Sequence, residues 1–149
     1  MKTPLQLGML ITLLTGVAFA QSTTWEYSTK KNLEGKTSDS AIALSNDSAS
    51  LVIRCQNACE VYVALDDTIA ADQASVRVKF NDGPLRTFAV NRGEGSDSLF
   101  FKAPMSIIKA IRDNGGYMKV EYRPYERTAT VATFGVWNLP PAILARISK

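Results

Sequence analysis

From about residue 41 onward, apolar and polar residues alternate with a period of two, which is the signature of half-buried strands. The alternation predicts strands at 41–45, 50–55, 60–65, 76–80, 86–91, 98–101, 117–123 and 128–137. Turn-forming stretches separate them, among them Ser45-Asn46-Asp47-Ser48, Asn81-Asp82-Gly83-Pro84 and Arg92-Gly93-Glu94-Gly95. Two segments switch to helical spacing. Pro104 opens a helix whose Ile107, Ile108 and Ile111 share one face, and Asn114-Gly115-Gly116 supplies its stop. Near the end, Asn138 is placed to cap a short helix with Pro140 and Pro141 in its first turn and Ile143, Leu144 and Ile147 as its buried stripe. Short strands with polar turns and two helices predict a mainly β fold, an antiparallel β-sandwich or strongly bent sheet with one mid-chain helix and one short C-terminal helix.

The cysteines sharpen one part of this pattern. In Ser50-Leu-Val-Ile-Arg-Cys-Gln-Asn-Ala-Cys-Glu-Val-Tyr-Val-Ala64, facing Cys55 with Cys59 pairs Arg54 with Glu60, Ile53 with Val61, Val52 with Tyr62 and Leu51 with Val63. One face of the hairpin is then apolar throughout, and the other carries an opposite-charge cross-strand pair. In an oxidising compartment Cys55 and Cys59 are expected to form a disulfide. A metal site would need further Cys or His ligands, and a redox pair would normally have C-x-x-C spacing, so a staple is the favoured reading.

The N-terminus indicates such a compartment. Lys2 precedes an apolar run from Leu5 to Phe19, and Ala18-Phe19-Ala20 is a small-x-small cleavage site that makes Gln21 the mature N-terminus. The run is shorter than the roughly 20 apolar residues a spanning helix needs. The expected organisation is a signal peptide (1–20), a loose N-terminal arm (21–40) whose Trp25 docks on the body, and one β-rich domain (41–149). The expected location is periplasmic or secreted, with no membrane insertion after cleavage.

Charge and composition then narrow the chemistry. The chain has 149 residues and a formal charge of +3, which becomes +2 once Lys2 leaves with the leader. That is too small and too evenly spread for a nucleic-acid partner or a membrane-surface protein. The chain contains no histidine, the side chain most used for acid–base catalysis near neutral pH and a common metal ligand. Asp66, Asp67 and Asp72 lack the spacing and turn glycine of a calcium loop, and no histidine can activate the available serines. The reading is a non-catalytic protein with no cofactor and no metal. Its candidate binding surface is Trp25, Arg77, Lys79 and Trp137, with Arg77 and Lys79 on the solvent face of their strand. The rivals are a secreted inhibitor or ligand-binding protein acting on an envelope enzyme or polymer and, ranked last, a carboxylate or serine–lysine hydrolase.

The order of several motifs resembles the small periplasmic proteins associated with bacterial type VI secretion. They are an early Trp25, the strand Leu51-Val52-Ile53-Arg54-Cys55, the strand Glu60-Val61-Tyr62-Val63, the basic strand running from Val76 to Asp82, Leu99-Phe100 before a helix, and Thr128 to Phe134 leading to the helix that ends at Ile147. The resemblance spans Trp25 to about Ile147. It implies a sandwich fold, an accessory role in the envelope and another envelope protein as partner. It also implies that Cys55 pairs with a cysteine near the C-terminus; this chain has none there, and Cys59 stands as the replacement.

Overall fold

The computed structural model describes residues 25–45 and 48–147. Ala18, Ala20 and Gln21, which flank the predicted cleavage site, lie outside the described residues.

The described chain is one antiparallel sheet of nine strands with two helices. In chain order these are β1 (Trp25–Lys31), β2 (Thr37–Leu44), β3 (Ser50–Cys55), β4 (Cys59–Ala64), β5 (Ser75–Phe80), β6 (Leu85–Arg92), β7 (Ser98–Phe101), α1 (Pro104–Asn114), β8 (Tyr117–Tyr122), β9 (Thr130–Gly135) and α2 (Pro141–Ile147). The strand order is β1-β2-β3-β4-β7-β6-β5-β8-β9, and the sheet is open.

The sheet bends at β6. Residues 85–89 of this strand pair with β5, while Val90, Asn91 and Arg92 pair with β7. One long strand therefore serves both halves, and the inner faces come together around a single core. The fold-back is tight enough for Ser45, just beyond β2, to bridge Phe134 on β9. Alternate residues point inward: Val76, Val78 and Phe80 on β5, and Met118, Val120 and Tyr122 on β8, are all buried. Helix α1 adds Ile107, Ile108, Ala110 and Ile111 to the same core.

The 50–64 hairpin has the register that its sequence predicts, with Arg54 opposite Glu60 and Leu51 opposite Val63. The two cysteines are joined, with an S–S distance of 2.06 Å. Leu51, Ile53, Val61 and Val63 are essentially inaccessible. The glycine stop of α1 also forms as its sequence predicts. Gly115 (φ +59°) donates its N–H to the Ile111 carbonyl, and Gly116 (φ +65°) follows. Asn81 latches this turn by accepting the Tyr117 N–H at 2.9 Å. A Cβ on Gly116 would lie 2.1 Å from the Asn81 Oδ1, so the close approach as well as the left-handed backbone requires glycine there.

Two local readings change. Of the segment 21–40 expected as a loose arm, the described residues 25–40 are β1, the turn at 32–36 and the first half of β2 (Trp25 docks on the body as expected). The region has no alternating apolar signal because β1 buries Trp25 and exposes every residue after it. Asn138 does not cap α2. Its backbone is left-handed (φ +59°), and the helix begins after Pro140, whose carbonyl accepts the N–H groups of Ile143 and Leu144 at 3.0 Å.

Candidate functional site

On the solvent side of β2, β3, β4 and β7, period-two alternation calls for polar residues. The register instead aligns Ile42 with Val52, Val52 with Tyr62, and Tyr62 with Phe100. These four side chains form a row across four neighbouring strands, in which Val52 is buried and Ile42, Tyr62 and Phe100 are half-buried. The Tyr62 and Phe100 rings stack at 4.6 Å, and the Arg54 guanidinium lies 5.6 Å from the Tyr62 centroid. Arg54 is held in turn by Glu60, whose Oε2 accepts its Nε–H at 2.7 Å. That bond raises the guanidinium's pKa above its ordinary value. An aromatic pair bordered by an oriented arginine has the composition of a protein-contact patch.

Along β3 and β4 from this row, beside the disulfide turn, Ser38, Arg54 and the turn Gln56-Asn57-Ala58-Cys59-Glu60 line a shallow depression of about 420 Å³. Behind this depression the chain is clamped from the inner side. Asp39 is the buried charged residue of the described chain, 7 % exposed. Its Oδ1 accepts the Tyr27 hydroxyl proton at 2.7 Å, and its Oδ2 lies 2.9 Å from the Arg146 Nη2 of α2. Arg146 also donates to the carbonyls of Gln56 and Cys55. One guanidinium therefore ties the C-terminal helix to β2 and to the disulfide turn. The Tyr27 hydrogen bond and then Arg146 hold the Asp39 carboxyl below its ordinary pKa of 3.8. The same hydrogen bond to Asp39 raises the Tyr27 hydroxyl above 10.0.

The disulfide stabilises the rim of this depression. Replacing both Cys55 and Cys59 by serine is expected to cost about 2 kcal/mol, the chain-entropy value for so short a loop. Urea unfolding of oxidised wild type against the double serine variant measures it, and an unchanged midpoint would show that the staple contributes nothing.

The residues singled out from the sequence as a binding surface fall in three separate parts of the fold. Trp25 is 8 % exposed and belongs to the core. Arg77 and Lys79 are on the outer face of β5, opposite Glu121 and Lys119 of β8. Arg77 donates to Glu121 at 2.6 Å, a bond that also lowers the Glu121 pKa. Trp137, beyond β9, meets Tyr117 edge-on at 5.2 Å. Asp67 pairs with Arg127, and Asp72 with Arg123. Among the described residues no group of three or more Asp, Glu, Cys or His side chains could hold a metal ion. No helix among them is long and apolar enough to cross a membrane.

Sequence reasoning missed the row formed by Ile42, Val52, Tyr62 and Phe100. Half of its signal was present, because the hairpin register that puts Leu51 and Ile53 inward puts Val52 and Tyr62 outward. Comparison with family models, with curated proteins and with solved structures gives no match for this chain.

Proposed function

We propose that this chain is a non-catalytic exported accessory module that binds another envelope protein through the outer face of β2, β3, β4 and β7. The aligned row of Ile42, Val52, Tyr62 and Phe100 carries the reading, because it places half-buried apolar and aromatic side chains, around a buried Val52, on a face where alternation calls for polar residues. The clamp behind it favours binding without rearrangement, since the disulfide turn, β2 and α2 are already tied together by Arg146. The resemblance to type VI secretion-associated periplasmic proteins supplies the setting and the class of partner, an envelope protein.

The test is an affinity pull-down of the exported chain against the envelope fraction of its host, read by mass spectrometry. Wild type is compared with the Tyr62→Ala/Phe100→Ala double variant. The expected result is enrichment of secretion-apparatus or other envelope proteins with wild type and at least a roughly tenfold loss with the variant, as for removal of a central aromatic anchor. Equal enrichment by both would remove the outer face as the site. No enrichment by folded wild type would favour a second reading, in which the Tyr62–Phe100 stack is a platform for an envelope polymer.

A further inference from the structure

β1 is the first strand in the sheet order, so among the described residues one of its edges has no strand beside it. It is seven residues long, contains no proline or glycine, and is exposed from Glu26 to Lys31. An edge of this kind is a template for another strand unless its side chains prevent pairing. Its charges are arranged by position: Glu26 lies near the start, and Lys30 and Lys31 lie at the end. Within the chain Glu26 stands opposite Ile42 and Lys30 opposite Ser38. Among the described residues neither has an ion-pair partner. They cannot pair with each other, because four strand steps separate them by about 13 Å.

We propose that a second copy of this chain adds its β1, antiparallel, to this edge, with the two-fold axis at Ser28. That register sets Glu26 opposite the partner's Lys30 and, by symmetry, Lys30 opposite the partner's Glu26. Tyr27 then faces the partner's Thr29, an aromatic against a β-branched side chain. The interface is isologous, as a two-fold dimer requires. Other registers lose the match. Moving the register two residues in either direction leaves Glu26 or Lys30 opposite Ser28. An in-register parallel pairing sets glutamate on glutamate and lysine on lysine. A one-residue slip sends each side chain to the wrong face.

The pairing also lengthens the candidate site. Glu26 is in line with Ile42, Val52, Tyr62 and Phe100 on the outer face, so the outer faces of the two copies become continuous across the axis. An interface built from two seven-residue edges falls at the small end of protein interfaces, so the dimer is weak.

Sedimentation equilibrium of the chain exported with its own leader, from about 1 to 300 μM, tests the pairing over the range a small interface requires. The expected result is a mass rising from monomer towards dimer. Glu26→Lys and Lys30→Glu, each folded by circular dichroism, are expected to weaken the dimer at least roughly tenfold, because each places two like-charge pairs across the axis. The double swap restores the homodimer, and an equimolar mixture of the two single variants forms a heterodimer. Ser28→Cys is expected to give a disulfide-linked dimer. Wild type that stays monomeric throughout overturns the proposal, as does a dimer whose strength ignores the charge swaps. A strand from a different protein as the natural occupant would give the first of those results. The test does not depend on the envelope partner, so either reading can fail alone.

Discussion

Replacing Phe134 by alanine is expected to destabilise the protein by about 4 kcal/mol. Phe134 is completely buried and stands opposite Met118, itself inaccessible. It also lies where β9 meets Ser45, the seam at which the far end of the sheet returns to β2. Truncation removes the transfer free energy of the ring and leaves a cavity between two strands held in place by their ladders, which cannot collapse to fill it. A loss of that size is a large share of the roughly 5–15 kcal/mol that holds an ordinary domain folded. Phe134→Leu, which keeps most of the apolar volume, is expected to cost markedly less. Urea midpoints of the two variants decide the matter. Equal small losses would mean that the seam is loosely packed.

Replacing Arg146 by alanine is expected to cost about 3 kcal/mol, because it strips the buried Asp39 carboxylate of its charged hydrogen-bonding partner. Part of that loss is desolvation of Asp39 without compensation. Adding Asp39→Asn to Arg146→Ala should therefore recover some of it, and the double-mutant cycle reads the coupling directly. The pair also predicts a pH dependence. The folded-state pKa of Asp39 is lowered, first by the Tyr27 hydroxyl and then by Arg146. The stability it contributes is fully present above the ordinary value of 3.8 and is lost as the pH falls through the lower folded value. Wild type should lose more stability below about pH 4 than Asp39→Asn does, since the asparagine variant has no proton to take up at that site. The lowered carboxyls of Asp113 and Glu121 are common to both proteins and cancel in the difference. Parallel acid profiles for the two would show that Asp39 does not carry this linkage.

Local patterns were legible where each strand buries one face. The hairpin around Cys55 and Cys59 could be aligned residue by residue, because charge, apolarity and cysteine placement all select one register. The mid-chain helix was equally clear, with proline at its start, isoleucines on one face and glycines after it. β1 was not legible, because it is an edge strand with Trp25 as its buried residue, and a strand without a buried face has no period to read. The cap of α2 was misplaced because Asn138 is a good capping residue type whose backbone is used for a left-handed turn instead. The candidate surface was scattered for a related reason: its residues lie far apart in the fold, and Trp25 is buried. Residue type does not say whether an aromatic ring faces the core or the solvent: Trp25 is buried, whereas Trp137 is half-buried.

The linear order of residues by itself determined the mainly β class with two helices, the disulfide and the register of its hairpin. Each rests on interactions between residues close in the chain, or on a periodicity set by the backbone. Tertiary structure alone decided which strands became neighbours. The pairing of β4 with β7 set Phe100 against Tyr62, and the docking of α2 brought Arg146 to Asp39. Among the described strands it also left one edge of β1 open. These are contacts between distant segments, chosen by how the whole chain buries its core, and no local pattern encodes them.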